Sequence, residues 1–287
     1  ADMQPAARAD PLIGHVVDHY RIERELGRGG MGVVYLARHE DEKLANSVAA
    51  VKTISPHALQ DEKARSLFVR EAEALGRVTV DGLVRILNVG QLDNGAPYIL
   101  MEYLEGQDLR QRLHQAGRLS PELALSITRQ VAITLAALHA KNVVHRDLKP
   151  DNIRLLTDPL IREGVRTKLL DLGIAKLLGE ATATKTSVSG TPLYMAPESC
   201  AGEHVEVQAD IYSLGCVLYE MLCGRPPYLV DGGDVMAKHV FQRPLPPHKH
   251  QRDLPRAVSE FVMELLAREP ADRPMAKEVA ERADVLG

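Results

Sequence analysis

The sequence predicts an α+β fold in which a small β-rich region is followed by a larger, mainly helical one. From Tyr20 to about Leu104 the segments are mostly strand-like with one helical stretch, whereas after Gly106 apolar residues recur at helical spacing. The 287 residues, 45% of them hydrophobic, are enough to bury a substantial core. We expect a disordered tail over 1–19, a first lobe over 20–104 and a second lobe over 105–287.

Local patterns place the individual elements. Predicted strands cover residues 20–26, 33–36, 44–54, 83–89 and 98–103, and one helix over 61–78 is predicted among them. Predicted helices of the second lobe cover residues 108–116, 121–141, 210–223, 258–267 and 275–286. Ser120 has the side chain of a good N-cap for the second of these helices. The polar run 181–190 is predicted to be a loop.

Composition excludes several classes of function. The net charge of −4, the absence of Trp and an aromatic content of 4% argue against nucleic-acid and anionic-membrane partners. The longest apolar region, 123–140, is interrupted by Arg129 and Gln130, so we expect a core helix there and no membrane segment in this chain. Three cysteines without a C-x-x-C pair favour a reducing compartment, and we expect a cytoplasmic location.

The stretch ELGRGGMGVVYLA contains the pattern G-x-G-x-x-G at Gly27, Gly29 and Gly32, with Gly30 as a fourth glycine. A dinucleotide-binding Rossmann turn requires a helix after the last glycine. Strand-forming residues follow Gly32 instead, so the pattern predicts a hairpin whose backbone N–H groups could lie over phosphates. A flexible hairpin turn without a ligand is the alternative interpretation.

The stretch VVHRDLKPDNI concentrates polar side chains directly after an apolar strand. A second apolar strand, KLLDLG, also ends in a carboxylate, so Asp147, Asn152 and Asp171 could meet at one edge. Phosphoryl transfer requires a carboxylate for the attacking hydroxyl, which suits Asp147, and oxygen ligands for Mg²⁺, which suit Asn152 and Asp171. Lys149 is placed to neutralise the γ-phosphate.

Two further residues complete this set from the first lobe. Lys52, at the end of a predicted strand, could reach the α and β phosphates of a nucleotide. A lysine that loses hydration needs an acid nearby to remain charged, and Glu71 on the predicted helix of that lobe is the candidate.

Together these motifs resemble eukaryotic-type (Hanks-type) serine/threonine protein kinases, most closely the bacterial members, over about residues 20–283. The resemblance is carried in order by GRGGMGVV, AAVK, FVREAEAL, HRDLKPDN, DLG, GTPLYMAPE, DIYSLGCVLYEML and DRP. It implies a bilobal protein kinase fold, with a small β-rich N-lobe that contains helix αC, a hinge near residue 104 and a larger, mainly helical C-lobe.

The resemblance also assigns roles residue by residue, with ATP and Mg²⁺ or Mn²⁺ as cofactors. It implies that Asp147 is the catalytic base, that Lys149 contacts the γ-phosphate, that Lys52 pairs with Glu71, and that Asn152 and Asp171 bind the metal. The implied nucleotide contacts are Gly27, Gly29, Gly30, Gly32, Val34, Ala50, Lys52, Met101, Glu102, Leu104, Asp108 and Arg154. Asp108 could equally be a helix N-cap, and Arg154 stands where the family usually has an aliphatic adenine contact.

Scaffold residues can be carried over in the same way. Glu198 and Arg273 resemble the buried ion pair of the large lobe, and Asp210 resembles the residue that braces the catalytic loop.

The implied partners are protein substrates with Ser or Thr acceptors, because Lys149 is typical of serine/threonine kinases. In the resembling family, an arginine at the position of Arg146 before the base implies activation-loop phosphorylation. The resembling subfamily also implies a homodimer, through the small lobe, that could phosphorylate itself in trans. The candidate acceptors are Thr182, Thr184, Thr186, Ser187 and Ser189, with Thr184 and Thr186 favoured. A full protein with a membrane anchor could tether the domain to the inner face of a membrane. A pseudokinase scaffold and a small-molecule kinase are the alternatives; the latter should lack GTPLYMAPE.

Overall fold

A computed structural model describes residues 10–28, 32–41, 43, 47–54, 62, 66, 68–69, 76, 78–171, 192–230 and 233–287. The chain divides into two compact units. The smaller comprises Ala1–Arg77 and Arg85–Tyr103, and the larger comprises Val78–Val84 and Leu104–Gly287. The predicted helix 61–78 and the predicted loop 181–190 fall largely or wholly outside the described residues.

The smaller unit contains one antiparallel sheet of six strands in the order β1-β2-β3-β4-β6-β5. Its strands are β1 Val16–Val17, β2 Tyr20–Arg28, β3 Gly32–His39, β4 Val48–Ile54, β5 Ile86–Gln91 and β6 Pro97–Glu102. Alternating side chains of these strands form the core, as the period of two in the sequence requires. One core cluster of this unit contains Tyr20, Ile22, Val33, Tyr35, Val51 and Leu100.

Gly32 shows why the glycine pattern leads into a strand rather than a helix. It is the first residue of β3 and pairs with Ile54 of β4. A Cβ atom at Gly32 would lie 2.0 Å from the carbonyl oxygen of Thr53, so no other residue fits at this approach of the two backbones. The hairpin prediction is confirmed, because a strand follows Gly32 where a Rossmann turn needs a helix.

Residues 10–19 differ from the disordered tail that the sequence suggested. Val16–Val17 pairs with β2, and the N–H of Gly14 donates to Ile22 O at 2.8 Å. The Asp10 carboxylate accepts hydrogen bonds from Tyr35 Oη at 2.8 Å and from Arg28 Nη2 at 3.0 Å. Burial of Val17 beside the core and these bonds to β2 and β3 order the segment, although its short strand has no periodicity to read from sequence.

The larger unit is mainly helical and contains a small sheet of three antiparallel strands. The strands are β7 Gln107–Asp108, β8 Ile153–Thr157 and β9 Val165–Leu169. The helices are α1 Leu109–Ala116, α2 Pro121–His139, α3 Pro197–Ala201, α4 Gln208–Cys223, α5 Val235–Phe241, α6 Arg256–Leu265 and α7 Ala276–Leu286. Single 3₁₀ turns cover Pro150–Asn152, Pro247–Lys249 and Pro270–Asp272.

Helix α4 lies at the centre of this unit. All residues from Ala209 to Leu222 are buried, and α2 and α6 pack against it. A helix that is apolar on every side, as α4 nearly is, must be surrounded by protein. The Ser120 hydroxyl caps α2 by accepting from Leu123 N at 3.3 Å, which confirms the predicted N-cap. Five predicted helices of this lobe are confirmed within two residues at each end. A β-rich smaller unit and a helical larger one confirm the α+β prediction.

Over the residues that the structure describes, every helix is too short or too polar to cross a lipid bilayer.

Candidate active site

Asp147 lies in a loop that ends in the 3₁₀ turn Pro150–Asn152. Its carboxylate Oδ2 accepts hydrogen bonds from Lys149 Nζ at 2.7 Å and from Asn152 Nδ2 at 3.0 Å. The Asn152 amide also donates to the backbone carbonyl of Asp147 at 2.8 Å. With 19% of its side chain exposed, Asp147 is an oriented carboxylate that solvent or a substrate can still reach.

Asp171 is brought to the same place by the pairing of β8 with β9. Ile153, the residue after Asn152, pairs with Leu169, two residues before Asp171. In addition, the N–H of Leu170 donates to the carbonyl of Asn152 at 2.9 Å. Asp171 has a φ of +38°, a backbone conformation that residues other than glycine rarely adopt and that is common at functional sites. The structure therefore brings together the Asp147, Asn152 and Asp171 positions that the sequence singled out.

Asp210, at the start of α4, holds the loop from beneath. Its buried carboxylate accepts the backbone N–H groups of His145 and Arg146, each at 2.8 Å. The Nε2–H of His139, from the last turn of α2, donates to the same carboxylate at 2.8 Å. Arg146 has a φ of +66°, so these bonds also stabilise an unfavourable backbone conformation beside Asp147. The expected bracing role of Asp210 is confirmed.

His145 is fully buried between the two segments that carry the carboxylates. Its Nε2–H donates to Leu170 O at 3.2 Å, and its Nδ1 faces the N–H of Asp147 at 3.4 Å. Burial lowers the pKa of the ring, although the nearby Asp210, Asp147 and Asp171 carboxylates oppose that shift. A neutral imidazole can make both contacts, and it links the loop of Asp147 to the strand end of Asp171.

The larger unit also contains Asp108, Leu104 and Arg154, three of the implied nucleotide contacts. Asp108 is the N-cap of α1: its Oδ1 accepts the N–H of Gln111 at 2.7 Å, within a capping box. The capping alternative is thus confirmed, and the carboxylate still has the capacity to accept a hydrogen bond from a ribose hydroxyl. Arg154 pairs with Asp108 across β7 and β8, and its Nε donates to Leu104 O at 3.1 Å. Its guanidinium is therefore tied to the backbone by this bond instead of simply extending into solvent.

The remaining candidates belong to the smaller unit. Lys52 on β4 pairs with Val34 on β3, and Ala50 pairs with Met101 on β6. Val34 in turn pairs with Gly27 of β2. Glu102 ends β6, and its N–H donates to Arg85 O at 2.9 Å. Three of the candidates, Gly29, Gly30 and Glu71, lie outside the described residues.

The donor set beside Asp147 fits a hard divalent cation. Because Asn152 Nδ2 is used by Asp147, the side-chain atom left for a ligand is its Oδ1 oxygen. Together with the carboxylate of Asp171, this gives the few oxygen donors that Mg²⁺ takes from proteins. Among the described residues there is no cluster of three or more His, Cys, Asp or Glu side chains that could hold a metal.

Two clusters of hydrogen-bonded side chains connect the elements of the larger unit. Arg273 and Glu198 form the expected buried ion pair, with Nη1 to Oε1 at 2.6 Å and Nη2 to Oε2 at 2.8 Å. The second cluster joins Arg110, Glu220 and Tyr194, and sequence reasoning missed it. No local pattern could have revealed it, because Arg110 and Glu220 are 110 residues apart.

Comparison with known sequences decides the family. The sequence pattern of the protein kinase domain matches residues 20–283. The chain belongs to the protein kinase family. Among curated family members it is 38% identical over 271 residues to the serine/threonine-protein kinase PknD of Mycobacterium tuberculosis, an alignment that covers 93% of this chain and 39% of that protein. It is 35% identical over 278 residues to the serine/threonine-protein kinase pkn3 of Myxococcus xanthus, covering 94% and 50%.

The fold is also similar to that of solved protein kinase structures. The crystal structure of the Mycobacterium tuberculosis PknI kinase domain aligns with a TM-score of 0.73 at 27% identity, and the alignment covers 96% of this chain and 99% of that one. The predicted protein kinase fold is confirmed, as is the resemblance to bacterial Hanks-type members. The chain spans half or less of the length of these two curated relatives, PknD and pkn3.

Proposed function

We propose that this chain is the catalytic domain of an ATP-dependent serine/threonine protein kinase. The observation that carries the proposal is the arrangement of Asp147, Lys149 and Asn152, in which two donors orient one partly exposed carboxylate. The names of the relatives, serine/threonine-protein kinases, point to the same activity.

Asp147 acts as the base in this proposal. It holds the acceptor hydroxyl and takes its proton while the γ-phosphoryl group is transferred from ATP to that oxygen. The bonds from Lys149 and Asn152 limit the rotation of the carboxylate before the substrate arrives, which reduces the reorganisation needed in the transition state. Lys149 also places a positive charge where negative charge accumulates on the transferred group.

Asn152 Oδ1 and the Asp171 carboxylate would hold Mg²⁺, with Mn²⁺ as a substitute. When bound, the ion neutralises phosphate charge. Lys52, paired with Glu71, would contact the α and β phosphates. The glycines Gly27, Gly29, Gly30 and Gly32 would cover the phosphates.

The base and sugar of the nucleotide would contact residues near the hinge. The adenine would pack against Val34, Ala50 and the stem of Arg154. Its edge would bind the backbone of Glu102 and Leu104, with Met101 behind it. The ribose would be held by Asp108. The bond from Arg154 to Leu104 O supports a hinge contact made through the N–H rather than the carbonyl of Leu104. The cysteine content, three residues without a C-x-x-C pair, supports a reducing, cytoplasmic location for the domain.

Incubation with Mg-ATP and a generic basic protein tests the activity. We expect phosphate on Ser and Thr and none on Tyr when the product is digested and sequenced by mass spectrometry. Excess EDTA should abolish the signal, and added Mg²⁺ should restore it. Nucleotide binding without transfer would identify a pseudokinase instead, and transfer only to small molecules would exclude a protein kinase.

We further propose that the kinase is regulated by phosphorylation of its own activation loop in trans within a homodimer. The candidates Thr182, Thr184, Thr186, Ser187 and Ser189 all lie outside the described residues, so the support comes from Arg146 beside the base and from the family.

Mixing an active chain with an Asp147→Asn chain of distinguishable mass tests this regulation. We expect phosphate on the inactive chain within residues 180–191, chiefly at Thr184 or Thr186, at a rate that rises with enzyme concentration. Thr184→Ala and Thr186→Ala should remove that signal, whereas Thr157→Ala, outside the loop, should not. An unmodified loop after prolonged incubation would contradict the proposal.

A further inference from the structure

A charged cluster surrounds Arg110 and includes Asp151 of the loop that carries Asp147. Asp151 is the middle residue of the 3₁₀ turn Pro150–Asn152, and its side chain is half exposed. Glu220, from the last turn of α4, and Tyr194, from the segment before α3, contact the same arginine, Arg110, as Asp151 does. We call Arg110, Asp151, Tyr194 and Glu220 the Arg110 cluster.

Arg110, from the first turn of α1, fills the centre of this cluster. Its Nη1 donates to Glu220 Oε1 at 2.6 Å, and its Nη2 donates to the Tyr194 hydroxyl. The Tyr194 hydroxyl in turn donates to Glu220 Oε2 at 2.5 Å. The Arg110 guanidinium therefore closes a ring of hydrogen bonds with Tyr194 and the inner carboxylate, the geometry that a planar fork of donors satisfies best.

The two carboxylates of the cluster are held very differently. Glu220 is almost completely buried, so it needs a cation to compensate its charge. Asp151 is only 3.4 Å from both Nε and Nη2 of Arg110, close to the limit of a hydrogen bond, and is largely hydrated. Burial alone would lower the pKa of Arg110, but its contacts with Tyr194 and Glu220 raise it above its usual value. One arginine is thus shared by two acidic groups, of which Asp151 is the more exposed and the more weakly held.

The position of the cluster matters for a protein substrate. Asn152, the neighbour of Asp151, donates to the carboxylate of Asp147. If a peptide whose hydroxyl meets Asp147 runs along this turn, each extended residue advances it about 3.3–3.6 Å. A side chain two or three residues from the acceptor can therefore reach the Arg110 cluster. Two carboxylates and a phenol oxygen around a guanidinium form a site that an arginine side chain of such a peptide would fit.

We propose that Arg110 is a specificity-determining residue: from within the chain it occupies a guanidinium site close to Asp147 and so excludes arginine side chains of protein substrates from it. The inference rests on the proposed kinase function. Removal of Arg110 should open the site to a guanidinium from outside, either free or on a peptide.

Paired peptides measure the exclusion. Each pair contains one Ser acceptor and differs only by Arg or Ala at one position, scanned from three residues before to three after the Ser. For the unaltered chain we expect the two peptides of every pair to have kcat/KM values within about twofold of each other. For Arg110→Ala we expect kcat/KM to be about tenfold higher for the Arg peptide than for the Ala peptide at one or two positions, mainly because KM is lower. Arg112→Ala, two residues along the same helix, should behave like the unaltered chain. Equal treatment of all pairs by Arg110→Ala, or a strong preference for Arg in the unaltered chain, would overturn the proposal.

Free guanidinium gives a readout that needs no activity. Millimolar guanidinium chloride should raise the melting temperature of Arg110→Ala and lower its preference for Arg peptides, whereas equal sodium chloride should do neither. The double variant Arg110→Ala with Glu220→Gln should not respond. If no peptide is phosphorylated by any variant, the kinase function fails while the guanidinium response still reports on the site.

Tyr194→Phe provides a second test of the proposal that can be used if Arg110→Ala does not fold. It removes only the hydroxyl that Arg110 and Glu220 share, so the arginine should be held less firmly and the preference for Arg peptides should rise about threefold. An unchanged preference in Tyr194→Phe would count against Arg110 as the occupant that sets specificity.

Discussion

Replacement of Asp147 by Asn is expected to lower kcat for phosphoryl transfer about 10²- to 10⁴-fold, the range attributed to a general base. Asparagine has nearly the same shape, so Lys149 and Asn152 keep a partner at the same place, but the amide cannot take the proton of the hydroxyl. The affinity for Mg-ATP should change little, because Asp147 is not among the proposed metal ligands. Single-turnover transfer to a Ser peptide, with nucleotide affinity measured by calorimetry, separates the two quantities.

The control for this experiment is Asp81→Asn. It makes the same chemical change in the same unit, at a side chain that is 96% exposed. We expect kcat within a factor of two of the unaltered chain. If Asp147→Asn transfers phosphate as fast as Asp81→Asn, Asp147 is not the base and the proposed mechanism is wrong, whatever the family of the chain.

Local sequence patterns predicted most of the fold. Helix α2 could be predicted from the spacing of its apolar residues and from its N-cap Ser120, because burial of apolar side chains and satisfaction of the terminal N–H groups act over a few residues. The strand Val16–Val17 could not be predicted in this way. Two residues have no period, and their order depends on pairing with β2 and on the bonds of Asp10.

In the candidate site, too, local patterns predicted some features, whereas others depend on tertiary contacts. Asp147, Lys149 and Asn152 lie within six residues, so the motif that names them also sets their geometry. Asp108 was ambiguous, because capping and ribose binding favour the same residue type, and only the bond from Gln111 N distinguishes the cap. The sequence showed only that Arg154 replaces an aliphatic contact of the family, whereas the structure shows that a backbone carbonyl fifty residues away holds its Nε. Contacts of this kind depend on the tertiary fold, which a single sequence does not encode locally.

Replacement of Arg273 by Met is expected to lower the free energy of unfolding by about 3–5 kcal/mol, the usual cost of removing one partner of a buried pair. The Arg273 side chain is completely buried and lies over the ring of Tyr212 at 5.0 Å. Besides Glu198 it donates to the backbone carbonyls of Ala267, Arg268 and Gln208. Methionine fills part of the volume but leaves the carboxylate and all three carbonyls without their donor, and each unpaired group adds to the loss.

Urea unfolding of Arg273→Met, Arg273→Lys and Arg282→Met tests this explanation. Lysine keeps the charge but lacks the planar fork, so it should recover only part of the lost stability. Arg282 pairs with Glu264 at the surface, where the two side chains are 41% and 48% exposed, and its removal should cost at most about 1 kcal/mol. The three variants together separate the effect of burial on stability from the effect of charge. If Arg282→Met lowers the free energy of unfolding as much as Arg273→Met does, burial of the Arg273–Glu198 pair does not explain its contribution to stability. Full recovery by lysine would mean that the charge alone suffices and that the fork of hydrogen bonds joining α3, α4 and the 3₁₀ turn Pro270–Asp272 contributes little.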